Sequence, residues 1–156
     1  MADRIAIASD HAATDLKAML IAWLQEQGHE VLDLGTNGSE SVDYPDFGYR
    51  LAHAIKDGKA DRGVALCGSG IGISIAVNRH PECRCALVSE PLSAKLSREH
   101  NDANVIAMGA RLTGPDMAKA CLAAFLSTPF AGDRHLRRVD KLSNPDLNPD
   151  LNKVSA

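Results

Sequence analysis

Short apolar runs alternate with stretches of helical spacing from one end of this 156-residue chain to the other. Residues 5–8, 31–34, 64–66, 86–88 and 105–108 lack the polar alternation of a strand with one wet face, so they read as strands buried on both faces. The segments between them are long enough for crossover helices. In the first, Leu16, Met19, Leu20, Trp23 and Leu24 follow i, i+3, i+4, i+7, i+8 spacing, which predicts a helix with one apolar stripe ending near Gly28. A β-α unit repeated about five times predicts an α/β fold with a parallel sheet covered on both sides, within the usual span of one domain.

Composition narrows the functional classes. At 45% hydrophobic but only 4% aromatic, the chain must build its core from Ala, Val, Ile and Leu. A net charge of -3 argues against general nucleic-acid binding. Met1-Ala2-Asp3-Arg4 leads straight into residues 5–8 without the longer apolar core of a signal peptide, and no apolar run approaches ~18 residues, so the expectation is a soluble, cytoplasmic protein with no membrane partner. Cys67, Cys83, Cys85 and Cys121 are expected to be free thiols, and Cys83-Arg84-Cys85 has no second pair to complete a zinc site.

Ligands of open parallel sheets bind outside the carboxyl ends of the strands. That rule gathers Ser9-Asp10-His11, Gly35-Thr36, residues 67–72, Ser89-Glu90-Pro91 and Gly109-Ala110-Arg111 on one rim. The run Cys67-Gly68-Ser69-Gly70-Ile71-Gly72 puts a thiol where a strand turns into a helix. Unpaired N–H groups and the positive end of the helix dipole favour negative charge there, and glycines let main chain approach a ligand closely. A thiolate so placed is a usable base, and N–H groups of residues 68–74 would stabilise the oxyanion formed by proton abstraction beside a carbonyl. The same residues also fit a plain strand-to-helix turn with a small buried thiol. A dinucleotide site fits less well, although Glu90 lies 18 residues beyond Gly72: the spacing is G-x-G-x-G rather than G-x-G-x-x-G, and it follows the third strand.

Asp10-His11 suits sugar hydroxyls or phosphate, or a helix cap. His100-Asn101-Asp102 closes a helical run over 91–99, where a histidine either complements the dipole or moves protons. Tyr44-Pro45-Asp46 falls in the long loop after Gly35, as a turn or part of a rim. Residues 133–142 predict an amphipathic basic helix with apolar groups at 136, 139 and 142. Its Arg134 and Arg138, four apart, either lie in solvent or grip one phosphate with planar forks. The Asn-Pro-Asp-Leu repeat at 144–151 predicts irregular chain, frayed or laid on a neighbouring subunit.

Together these blocks resemble, from about residue 4 to 142, the type B ribose-5-phosphate isomerases and the galactose-6-phosphate isomerase subunits of the same family. The blocks are Ser9-Asp10-His11, Asp43-Tyr44-Pro45-Asp46, residues 67–74, Ser89-Glu90-Pro91, residues 97–102 and residues 132–138. The resemblance implies one Rossmann-like domain over 1–142, a three-layer α/β/α sandwich with a mainly five-stranded parallel sheet and an extra C-terminal helix, followed by an irregular tail over 143–156. It implies an aldose–ketose isomerase of the pentose phosphate pathway that interconverts D-ribose 5-phosphate and D-ribulose 5-phosphate through a cis-enediolate. No cofactor or metal is implied, and the homodimer or homotetramer shares each site between subunits. The alternatives are an isomerase of allose or galactose 6-phosphate, or a non-catalytic sugar-phosphate-binding subunit. Residue by residue, the resemblance makes Cys67 the base, with Ser69, where the family usually has Thr, moving protons at the oxygens. Gly68, Gly70, Ile71 and Gly72 bind charge, and His100 with Asp10 opens the furanose. Tyr44 and Asn101 hold sugar hydroxyls. His11 and Arg111, with the partner subunit's Arg134 and Arg138, clamp the phosphate.

Overall fold

Large and small side chains alternate along the central strands, and this sorts the helices into two unlike layers. The computed structural model describes residues 2–147 and 149–153. The strands β1 (Arg4–Ser9), β2 (Glu30–Asp33), β3 (Arg62–Cys67), β4 (Cys85–Leu87) and β5 (Val105–Gly109) form one parallel sheet in the order β2-β1-β3-β5-β4. Around it lie α1 (Thr14–Glu26), α2 (Tyr44–Lys56), α3 (Ile71–Val77), α4 (Pro91–Asn101), α5 (Pro115–Ser127) and α6 (Leu136–Ser143). The three-layer α/β/α expectation holds.

Ile5, Ile7, Val64, Leu66, Ile106 and Met108 point to one face, against Leu16, Leu20 and Leu24 of α1, Ala94 of α4 and Leu122 and Phe125 of α5. Ala6, Ala8, Ala65, Cys67 and Ala107 point to the other, against Phe47 and Leu51 of α2 and Ile73 and Val77 of α3. Small strand residues let this second layer sit close. A Cβ on Gly63 would stand 2.7 Å from Leu51 Cδ2, and one on Gly48 of α2 would stand 2.9 Å from the Ala76 Cβ of α3.

Right-handed crossovers dictate which helix goes where. The chain leaves β1 toward β2 through α1 and returns across the sheet to β3 through α2, so the loops after β1 and β3 part toward opposite faces. A crevice therefore opens between their carboxyl ends, where Asp10 and Cys67 stand. Its border is fixed by the β2–α2 loop. Lys17 of α1 is 1% exposed, and its ammonium, which needs partners at that depth, donates to Asp33 Oδ1 at 2.6 Å and Asn37 Oδ1 at 2.5 Å. Further along, the Val42 N–H donates to His11 Nδ1 at 3.1 Å.

Three local expectations change. Tyr44 begins α2 with Pro45 in its first turn, so the Tyr-Pro-Asp segment is a helix start and not loop. The basic segment is a 3-10 turn, Asp133–His135, followed by α6, because Gly132 (φ +67) and Asp133 (φ +45) take left-handed backbone incompatible with a helix beginning at 133. Arg134 therefore precedes the α-helix that carries Arg138. Among the described residues of the tail, Pro145–Leu147 and Pro149–Asn152 are 3-10 turns where irregular chain was expected, and positions 148 and 154–156 lie outside the described residues. Among the described residues no helix is long and apolar enough to cross a membrane.

The close α2–α3 contact is testable. Gly48→Leu should lower stability by about 1–3 kcal/mol through overpacking against Ala76 and Ile73, read as a lower urea midpoint with an unchanged slope.

Candidate active site

The turn after β3 is shaped by backbone contact with β5. Gly70 adopts φ +76, and a Cβ there would stand 2.7 Å from the carbonyl carbon of Met108. The turn closes with the Ala110 N–H donating to Cys67 O at 2.9 Å and the Arg111 N–H to Gly68 O at 3.0 Å. Cys67, on the tightly packed face of the sheet, is 4% exposed, and its Sγ accepts the Gly70 N–H at 3.1 Å. That contact fixes the position of the sulfur.

A cleft of about 550 Å³ lies over this turn, lined by Asp10, Tyr44, Cys67, Gly68, Ser69, Ile71, Gly72, Ile75, Arg111 and Leu112. The size suits a small polar metabolite. Tyr44 lies flat against the start of α3: a Cβ on Gly72 would be 2.6 Å from its ring, so the missing side chain at 72 is the seat of the tyrosine. Arg111 folds over Gly68, and Asp10 accepts the Ala12 N–H at 3.0 Å, capping the 3-10 turn that carries His11. His11 has Nδ1 occupied by Val42, so its N–H is on Nε2.

Two of the amides expected to face a ligand are held within the turn: Gly70 by Cys67 Sγ, and Ile71 by Ser69 Oγ at 3.2 Å. Gly70 does not line the cleft, because its left-handed backbone is pressed on Met108; Gly68, Ser69 and Gly72 do.

His100, Asn101, Arg134 and Arg138 are not brought to this cleft by the same chain. The helix α4 runs from the carboxyl end of β4 back to the start of β5, which leaves His100 and Asn101 near the opposite edge of the sheet. The length of β5, roughly 15 Å at ~3.3 Å per residue, separates the two groups. The expected pairing of His100 with Asp10 is therefore absent within one chain. His100 stacks instead on His135, ring centroids 4.5 Å apart, and Asn101 lines a separate groove with Cys83, Cys85 and Leu142. The end of α4 is held by Arg98, 3% exposed, which donates to Asp102 Oδ1, Ala103 O and Thr128 O.

Sequence reasoning missed His135, Ile75 and Leu112. His135 stands inside the recognised basic segment and was legible only as a neighbour of Arg134. Ile75 and Leu112, 61% and 71% exposed beside the cleft, carry no polar signature that would mark them. The dinucleotide reading loses its acidic residue: Glu90 caps α4, its carboxylate taking the Ser93 hydroxyl and the N–H groups of Leu92 and Ser93, and the Ser93 hydrogen bond foremost holds it below the usual carboxylate range. Among the described residues no cluster of three or more His, Cys, Asp or Glu side chains is arranged for a metal ion.

The sequence profile of a family described as Ribose/Galactose Isomerase matches residues 5–142. Ribose-5-phosphate isomerase B of Escherichia coli is 44% identical over 140 residues, 90% of this chain and 94% of that protein. D-erythrulose-4-phosphate isomerase of Pectobacterium atrosepticum is 44% identical over 139 residues, 88% of this chain and 91% of that protein. The solved structure of Clostridium thermocellum ribose-5-phosphate isomerase B superposes with a TM-score of 0.89 at 47% identity, covering 90% of this chain and 95% of that one.

The four thiols differ enough to be told apart chemically. Burial pushes the Cys83 thiol up to about 11 and raises Cys85 and Cys121 as well, so at pH 8 these three remain protonated and slow to alkylate. Iodoacetamide at pH 8 should therefore modify Cys67 first, as read by peptide mass spectrometry; equal labelling of Cys83 or Cys121 would contradict this.

Proposed function

This chain belongs to the ribose/galactose isomerase family, and from that premise we propose that it interconverts D-ribose 5-phosphate and D-ribulose 5-phosphate. The observation that carries the reading is the shared cleft: Cys67, Asp10, Tyr44 and Arg111 line one space at the switch point of the sheet.

In the proposed reaction, the anomeric hydroxyl of the furanose gives its proton to Asp10 as the bond from C1 to the ring oxygen breaks, and His100 returns a proton to that oxygen. The Cys67 thiolate then removes the proton from C2. Electrons move from the C2–H bond into a C1–C2 double bond, leaving an enediolate. Its charge meets the amides of Gly68, Ser69 and Gly72 and the hydroxyl of Ser69, one well-placed donor of this kind being worth about 2.7–4 kcal/mol in the transition state. Protonation of C1 by Cys67, with Ser69 passing the proton from O2 to O1, completes the ketose with no change in overall oxidation state. The Nε2–H of His11 and the guanidinium of Arg111 bind phosphate, which supplies remote binding energy that orients the sugar.

Because His100, Asn101, Arg134 and Arg138 stand at the far edge of their own sheet, the proposal needs a second copy whose edge meets this cleft. A homodimer is the smallest assembly that does so. Exposed Ile71, Ile75 and Leu112 border the cleft and suit that contact.

A coupled assay of ribose 5-phosphate beside D-erythrulose 4-phosphate, allose 6-phosphate and galactose 6-phosphate tests the substrate; preference for the pentose is expected, and no turnover of it would end the reading. Cys67→Ala should lower kcat by about a thousandfold or more while ribose 5-phosphate still binds in calorimetry. Mixing Cys67→Ala with Arg138→Ala subunits, each inactive alone, should restore roughly a quarter of wild-type activity by random pairing in a dimer. No recovery would place the whole site within one chain.

A further inference from the structure

His100 ends α4 with its imidazole unsupported by hydrogen bonds among the described residues. A group that delivers a proton to one particular oxygen needs its ring plane set, since small errors of geometry are costly in proton transfer. The contact that sets it here is the stack on His135: ring centroids 4.5 Å apart, planes within 14°.

The backbone is built to make that stack. The Ala131 N–H donates to Glu99 O at 3.1 Å, tying the segment after α5 to the last turn of α4. Gly132 at φ +67 and Asp133 at φ +45 then reverse the chain, and the His135 N–H donates back to Gly132 O at 3.0 Å. A non-glycine residue in left-handed backbone is uncommon and mildly strained, and here it serves to bring His135 over His100.

We propose that His135 is the positioning residue for the ring-opening histidine, an imidazole platform that fixes the plane of His100 where it meets the sugar. The inference rests on the role given to His100 above. The surroundings suit a platform: burial first, then the positive neighbourhood of His100, Arg134 and Arg138, opposed by Asp133, hold the His135 imidazole below its ordinary pKa.

A substrate that has no ring to open separates this role from others. D-erythrulose 4-phosphate has no hydroxyl placed to close a five-membered ring on its C2 carbonyl, and in its aldose isomer the 4-oxygen that would close one on C1 is esterified. His135→Ala should lower kcat on ribose 5-phosphate about tenfold or more with KM within about twofold, and leave turnover of the tetrulose unchanged. His135→Phe, which keeps a flat ring, should restore most of the loss. Equal losses on both substrates, a raised KM alone, or no loss on either would overturn the inference. A crystal structure of His135→Ala provides a second readout and decides the matter if the wild type rejects the tetrulose: His100 should leave its plane, and an unmoved ring would overturn the proposal. A wild type inactive on ribose 5-phosphate would instead sink the parent reading of function.

Discussion

A Cβ on Gly109 would stand 2.5 Å from the carbonyl carbon and oxygen of Ser69, and one on Gly70 would stand 2.7 Å from the carbonyl carbon of Met108. The end of β5 and the turn after β3 are thus in direct backbone contact, with no side chain between them. Real Cβ atoms do not approach so closely, so any larger residue at 109 would have to lift the turn. Lifting it would move the Gly70 N–H that holds Cys67 Sγ and the Gly68 carbonyl that anchors Arg111. The position of the thiol relative to the cleft therefore depends on a contact between two pieces of main chain. That is a stiffer support than side-chain packing, because neither partner has rotamers to relax.

The same economy of volume runs through the layer to which Cys67 belongs. Alanines at 6, 8, 65 and 107 and the glycines at 48 and 63 let α2 and α3 lie close to the sheet, while the opposite layer is filled by Ile, Leu, Met and Phe. Tyr44, at the head of α2, reaches the backbone of Gly72 only because α2 and α3 pack this tightly. The Lys17 anchor acts on the other side, holding the start of the β2–α2 loop to α1 through Asp33 and Asn37, while His11 holds its end through Val42. Three elements that differ in sequence position by dozens of residues are in this way locked around one crevice.

Much of this was legible in the chain. Apolar runs of three or four residues separated by helix-length segments have few solutions other than a parallel sheet, so all five strands were placed to within a residue or two, while burial on both faces fails for β2 and β4, which lie at the sheet edges and stay exposed or half-buried. The rim followed from the rule that such sheets bind at their carboxyl ends, and it holds Asp10, Cys67 and Arg111 as expected. What periodicity could not give was backbone detail that depends on distant contacts. The left-handed pair Gly132 and Asp133 delays the start of α6, and nothing local in Gly-Asp-Arg-His announces it. Nor does helical spacing alone tell which end of the sheet a helix terminus reaches; that follows from the parallel pairing of β4 and β5, because α4 leaves the carboxyl end of one and returns to the start of the other, bringing His100 to the amino end.

Sorting the titratable groups by edge gives a physical reason for the proposed division of the site. The carboxyl edge holds the thiol and the Asp10 carboxylate, with Arg111 as a cation close by. The opposite end holds His100, His135, Arg134 and Arg138, where burial first and then the neighbouring cations lower the proton affinity of His135. Within one chain the cleft beside Cys67 and Asp10 is lined by Arg111 but not by Arg134 or Arg138. Within one chain Arg134 and Arg138 are exposed; in the proposed dimer they would face the cleft of the second copy, where a phosphorylated sugar would supply the negative charge they lack. In the proposed dimer the exposed apolar groups at 71, 75 and 112 would be covered by the second copy.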